Sequence, residues 1–301
     1  MKAKYINPFT DFGFKKIFGE EVNKDLLTDF LNQILPEKHQ IKDLFYKKSE
    51  NLGSGETDRK AIFDIYCESQ NGDKFIVEMQ KAKQNFFKDR TVFYSTFPIR
   101  EQAEQGECLP AGQAGDFQLK AVYCVAILPA CRTGRDFVFD DASPNPKFVH
   151  TIQLKDDNHR VFYDKLTFIF LEMPKFKKSE SELETHFDKW LYFLKNLEKL
   201  EAIPAKLRDR IFEKAFTIAE IAKFIPEQME AYENSLKYYR DLKNVIDSAV
   251  QEAVQKTTQE IRTETQIEIV KNAIAKGLPD ELIAELTGLP IEQIQQIREN
   301  N

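Results

Sequence analysis

Residues 59–84 read RKAIFDIYCESQNGDKFIVEMQKAKQ, and their pattern decides the fold. Stretches 61–67 and 74–81 are rich in Ile, Phe, Val and Tyr, with Asn71-Gly72 between them. An Asn-Gly pair between two apolar runs signals a β-hairpin, because both residues tolerate positive φ. Side chains alternate across a strand. Glu78 and Gln80 therefore share a face with Ile76, while Phe75, Val77 and Met79 take the other. On the first strand Asp64 joins Ile62 and Tyr66, opposite Ala61, Phe63, Ile65 and Cys67. Both strands are apolar on both faces, so the hairpin reads as buried on both sides. A carboxylate inside each strand is then costly unless it is paired or binds a metal. Two carboxylates from neighbouring strands, with an amide close by, make an oxygen-rich cage of the kind Mg²⁺ takes. The bland alternative is two strand carboxylates satisfied by Lys, Arg or water.

Upstream, residues 11–35 carry apolar positions near the helical period, from Phe14 to Ile34. Thr10 or Asp11 can cap this helix, Gly19 can interrupt it, and Pro36 ends it. Residues 40–48 resemble a strand, and a polar loop leads into the hairpin. Downstream, residues 86–105 read as a helix kinked at Pro98. Residues 108–116 are a Gly/Ala/Pro loop, 119–128 a buried strand, and 135–155 and 161–172 further strands. After Pro174 the pattern turns helical: 183–200, 205–223, a long polar helix over 226–276, then two short helices, 279–286 and 290–297. Pro at the start of each short helix and Gly between them are boundary signals. The long helix has two readings, a partner-seeking coil or a solvated helix.

The pattern Asp64…Glu78-Met79-Gln80 resembles the core of the PD-(D/E)XK nuclease superfamily, with Phe63 in place of the Pro and Gln80 in place of the Lys. NPFTDFGFKKIFG near the N-terminus, RTVFYSTFPIREQAEQGE followed by LKAVYCVAIL, and KNAIAKGLPDELIAELTGLPIEQIQQI near the C-terminus extend the likeness in order along nearly the whole chain. Together they resemble the Rpn-type recombination-promoting nucleases, or transposases, of that superfamily. The resemblance implies an α/β, restriction-endonuclease-like core: a central mixed sheet flanked by helices over residues 1–176, then a helical region over 177–301 ending in a helix-turn-helix-like pair. It implies Mg²⁺-dependent cleavage of DNA, with Mn²⁺ able to substitute, linked to recombination or mobile elements in bacteria. Asp64, Glu78 and the backbone carbonyl of Met79 would hold the metal. Gln80 cannot act as a base or carry charge, but it can orient water or a phosphate oxygen. The superfamily often adds an acid from the first helix, for which Asp11, Glu20, Glu21 and Asp25 are candidates; Asp11 belongs to the DFGFKKIFG signature, with an N-cap as its alternative. Lys15, Arg90 and Tyr94 are candidate substrate contacts, with a solvated lysine and packing beneath the site as their alternatives. Lys81 and Lys83 read as solvated or phosphate-contacting. The alternative function is a catalytically degenerate fold that binds DNA or protein, and a third reading is self-assembly through the C-terminal helices into a homo-oligomer.

Composition narrows the field. A 301-residue chain with 42% hydrophobic residues and 25 Phe can build a sizeable core. No run of about 18 apolar residues occurs, so no membrane span is expected, and the N-terminus reads without an apolar signal core. Cys67, Cys108, Cys124 and Cys131 show no CxxC spacing, which argues against a disulfide framework or zinc site and for a cytoplasmic home. His39, His150, His159 and His186 are scattered without HxH or HExxH spacing. The net charge of −6 argues against a basic nucleic-acid coat. Residues 1–176 are close to neutral and the acidity lies beyond them. The second short helix of the terminal pair has Arg298 as its cation, which favours a protein contact slightly over a DNA reader.

Overall fold

The structure, a computed structural model, describes residues 3–51, 61–80, 86–104, 118–129, 139 and 146–299. Lys81, Lys83, Cys108, Cys131, the loop 108–116 and most of 135–148 lie outside the described residues. The chain forms two compact units, Met1–Leu242 and Lys243–Asn301.

In the first unit, strands β1 (Leu44–Tyr46), β4 (Ile65–Ser69), β5 (Lys74–Met79), β6 (Val122–Leu128), β7 (Val149–Lys155) and β8 (Val161–Glu172) form one mixed sheet in the order β1-β4-β5-β6-β8-β7. Two short strands, β2 (Glu50–Asn51) and β3 (Ala61–Ile62), pair separately. The predicted hairpin is present: β4 and β5 are antiparallel, with Ile65 opposite Val77 and Glu68 opposite Lys74. Its turn differs in detail. Gly72 alone takes positive φ, at +85°, and Asn71 does not. The Ser69 amide bonds the Asp73 carbonyl at 2.9 Å and the Gly72 amide bonds the Ser69 carbonyl at 2.9 Å. The turn is thus a three-residue loop whose last residue is a left-handed glycine. The first strand also starts later than the pattern implies, because the chain bends at Phe63 and Asp64 between β3 and β4. From β5 the chain crosses through helix α3 (Phe87–Glu104) to parallel β6, and β6 is parallel to β8.

The two faces of the sheet are covered unequally. Phe75, Val77, Met79, Tyr123, Val125 and Ile127 bury one face under α1 (Asp11–Phe18), α2 (Lys24–Asn32), α4 (His186–Asn196) and α5 (Arg210–Ala219). Trp190 is at the centre of this layer, with Phe212, Phe18, Phe193 and Phe30 rings 4.8, 5.6, 5.7 and 5.9 Å away. Its indole N–H donates to Asp29 at 2.6 Å, so no buried donor is left unmet. Ile76, Cys124, Ala126, Leu128, Phe168 and Phe170 line the other face, with Phe87 and Phe97 of α3 against them. The predicted helix over 11–35 is two α-helices, because Gly19 closes α1 and a 3-10 turn at Glu21–Asn23 intervenes.

The NPFTDFGF stretch works as a structural knot. Thr10, not Asp11, caps α1, accepting the Gly13 amide at 3.0 Å. A Cβ on Gly13 would lie 2.1 Å from the Asn7 carbonyl, so only glycine fits that approach. The Asn7 amide donates to the Tyr232 hydroxyl at 3.0 Å and the Phe12 amide to Ser235 at 3.1 Å, both on helix α6 (Pro226–Ala275). This is why the compact unit runs past residue 176, where the pattern turns helical, to Leu242. The region beyond 180 is helical, as its pattern implies. In the second unit the end of α6 packs with α7 (Asp280–Thr287) and α8 (Ile291–Glu299) around Val270, Ala273, Ile283 and Ile294. Gly288, at φ +68°, closes α7.

Candidate active site

Glu78 is the fifth residue of β5 and faces α3; Asp64 sits at the bend just before β4. Both are half-buried. Each accepts a backbone amide from the other's segment. The Asp64 amide donates to Glu78 Oε1 at 3.1 Å, and the Met79 amide donates to Asp64 Oδ2 at 2.8 Å. One oxygen of each carboxylate is fixed in this way, and the two groups meet at the carboxyl end of β5. In an extended strand the amide and carbonyl of one residue point to the same side. The Met79 carbonyl is therefore directed to the Asp64 side.

Helix α3 forms the opposite wall. Gln80 is buried, and its amide oxygen accepts a hydrogen bond from the Arg90 guanidinium. Arg90 lies 5.4 Å from the centres of both the Phe87 and Tyr94 rings. Burial raises the Tyr94 pKa, Arg90 opposes this, and the Glu78 and Asp64 carboxylates raise it further. Tyr94 thus stays a protonated donor at neutral pH. A cavity of ≈ 10 Å³ lies among Glu78, Arg90, Thr91, Tyr94, Cys124 and Ala126, room for about one water. Behind it the Cys124 thiol is pushed up, by burial first and then by Glu78, and is inert.

The donor set is all oxygen: two carboxylates, a carbonyl and an amide, without histidine or thiolate. That chemistry suits a hard divalent cation rather than zinc or copper. No cluster of three or more His, Cys, Asp or Glu side chains with metal-holding geometry occurs among the described residues. A small, strongly hydrated ion held by one or two carboxylates with waters completing its shell needs no such cluster.

The remaining predicted residues are placed as follows. Asp11 and Lys15 pair with each other at 3.2 Å, each about half exposed, on a helix whose buried side packs on the other face of the sheet. Phe63, which alternation put opposite Asp64, packs instead against Tyr94 at 5.2 Å and Tyr66 at 5.5 Å, on the α3 side. The bend at Asp64 breaks the alternation, and nothing in the residue pattern marks that bend. The Gln80–Arg90 bond is likewise not legible, since it joins a strand end to a helix ten residues on.

A mixed sheet with an acid before one strand and Glu-x-Gln closing its neighbour is the frame of a PD-(D/E)XK nuclease core. The family model for PD-(D/E)XK nuclease family transposases matches residues 8–249, and the chain belongs to that family. Neither the curated proteins nor the solved structures contain a match to the chain. None of the described helices is long and apolar enough to cross a membrane.

Proposed function

We propose that the protein is a divalent-metal-dependent DNA endonuclease of the recombination-promoting, Rpn type. The reciprocal amide bonds of the Asp64 and Glu78 carboxylates beside Arg90 carry this reading. In it Asp64, Glu78 and the Met79 carbonyl hold Mg²⁺ or Mn²⁺. When bound, such an ion polarises a phosphodiester and lowers the pKa of a water ligand. Arg90 supplies a permanent cation where a phosphate charge must be met. Gln80 holds Arg90 by its amide oxygen, and its amide nitrogen can orient water or a phosphate oxygen. Tyr94 offers a hydroxyl that stays protonated. Asp11 and Lys15, paired with each other on α1, are given no part in the metal site by this reading. A cytoplasmic, bacterial setting and a link to mobile elements accompany the reading.

Nicking of supercoiled plasmid in Mg²⁺, its loss in EDTA and its loss in Asp64→Asn test the proposal. Wild-type protein that leaves plasmid intact with Mg²⁺ and with Mn²⁺ would end it. A second reading, a binding module without hydrolysis, is favoured by Gln80 in place of lysine. It predicts metal-independent DNA binding with no nicking. Val254 and Ile261, one heptad apart on α6, are 58% and 57% exposed, the observation that favours self-association. Light scattering on the full chain tests that, and a monomer at all concentrations excludes it.

A further inference from the structure

The solvent side of α3 is not built like a solvent side. Its described exposed residues are Lys88, Asp89, Val92, Phe93, Thr96, Arg100 and Ala103. Val92 is 55% exposed and Phe93 40%, in the middle of the stripe. The inward residues Phe87, Tyr94 and Phe97 are apolar or aromatic too, so the helix carries large apolar groups all round. Just before it Phe86 is 78% exposed and held at φ +63°, a region that bulky side chains avoid and that recurs at functional sites.

The face continues into the candidate site. Phe93 meets the Phe97 ring at 5.1 Å and the Tyr94 ring at 6.4 Å. Tyr94 in turn contacts Phe63 and Arg90 beside Glu78. Cations stand at both ends, Lys88 in the first turn and Arg100 near the last, with the Arg100 guanidinium 5.9 Å from Phe97. Twelve residues of helix separate them by about 18 Å along the axis; Phe93 is midway, on the flank away from Lys88, whose ammonium lies 5.1 Å over the Phe139 ring. Asp89 is the one acid among the described exposed residues of the helix; Glu101 is turned to the Tyr66 hydroxyl.

We propose that this face of α3 is a track for an unpaired DNA strand. Phe93, with Phe86, stacks bases, Lys88 and Arg100 take phosphates, and the strand is led to Asp64 and Glu78. The inference rests on the nuclease reading for its choice of partner. Charge decides between duplex and single strand. Duplex affinity comes mainly from neutralising phosphates, and a chain of net charge −6 with two cations on this face is poorly supplied for it. Stacking on exposed rings does not draw on net charge and needs bases that are unpaired.

The test uses the full chain in EDTA, so that cleavage does not intervene, and a fluorescein-labelled single-stranded oligonucleotide against the same sequence as duplex. Wild type should bind the single strand more tightly. Phe93→Ala should weaken it roughly tenfold or more, with Phe93→Trp holding wild-type affinity. Lys88→Ala with Arg100→Ala should flatten the salt dependence by up to about 1.4 in slope, the release expected for two single-strand phosphates. Equal binding of the two forms, or Phe93→Ala unchanged, overturns the track. Plasmid nicking run in parallel separates the claims. Nicking with Phe93-independent strand binding removes the track and leaves the nuclease. Phe93-dependent strand binding without nicking does the reverse. A dimer lost in Phe93→Ala with strand binding intact assigns the face to a second copy and also overturns it.

Discussion

On one face of the sheet four helices bury an aromatic layer around Trp190; on the other, among the described residues, one helix, α3, lies over Glu78, Gln80 and Cys124. The same strands supply both. Residues 75, 77 and 79 of the chain are apolar and fully buried, while 76, 78 and 80 run Ile, Glu, Gln. The difference follows from the cost of burying charge. A carboxylate deep under the thick layer would need a full set of partners. Under one helix at a strand end it can stay half-buried and bound to backbone amides, as Asp64 and Glu78 are. Stability is concentrated on one face and chemistry on the other, so substitutions should separate the two cleanly.

The largest effect is expected on the thin face. Asp64→Asn and Glu78→Gln keep oxygen acceptors for the Met79 and Asp64 amides, so the fold should survive. Nicking should fall by several kcal/mol of barrier, on the order of a thousandfold, since the metal's contribution is of that size. Nicking at wild-type rate in either variant would break the assignment. The converse experiment is Trp190→Ala. A truncated core tryptophan costs about 3–5 kcal/mol. Urea unfolding should show that loss, and nicking per folded molecule should be unchanged. An active-site defect in Trp190→Ala would show that the two faces are coupled.

Gln80 gives a smaller and sharper test. Its amide oxygen accepts from Arg90 in a buried setting. A hydrogen bond to a charged group is worth about 1.5–3 kcal/mol, so Gln80→Ala should slow single-turnover nicking by roughly that much at saturating Mg²⁺. Gln80→Lys restores the superfamily's commoner residue but sets an ammonium against the guanidinium. It should be slower than Gln80→Ala, and adding Arg90→Gln should recover part of the rate. A faster Gln80→Lys would show that Arg90 swings away and is not a fixed part of the site.

How much of this is legible in the sequence depends on the reach of each interaction. The hairpin is, because alternation and Asn71-Gly72 act within a few residues of each other. The meeting of Asp64 with Glu78 is legible as two carboxylates on neighbouring strands, but its register is set by the three-residue loop, since a two-residue Asn-Gly turn would put Asp64 opposite Met79. Phe63 is not: a bend that costs one step of alternation leaves no mark in composition, and it turns the ring to the α3 side. The tie from Asn7 to Tyr232 spans the length of the first unit, and no local propensity encodes it. The same holds for the compact unit's end at Leu242, which is set by the ties of Asn7 and Phe12 to α6 and by Tyr232, Leu236 and Tyr239 packing on the core rather than by where the pattern turns helical.

The smallest effect concerns the thick face alone and tests its independence through pH. Asp188, in the first turn of α4, is 3% exposed. Its Oδ2 accepts the Thr185 and Glu184 amides at 3.1 Å each and the Lys178 ammonium at 2.8 Å. Burial pushes its pKa up, but Lys178 and the two amides outweigh burial and the net shift is downward. A carboxylate whose folded pKa lies below its unfolded value binds fewer protons when folded. Its stabilisation is present above the unfolded pKa, about 3.9, and is lost as pH falls through the folded value. Asp188→Asn keeps an acceptor but removes the charge. It should be about 1 kcal/mol less stable at pH 7, the size of a helix cap, and should converge on wild type in urea melts as the pH is lowered below the unfolded value. A difference that persists in acid would mean the cap acts through shape rather than charge. Nicking per folded molecule at pH 7 should match wild type, because α4 covers the face away from Glu78. A nicking defect there would show that charge on the thick face reaches the carboxylates through the sheet, and the separation of stability from chemistry would fail at its most sensitive point.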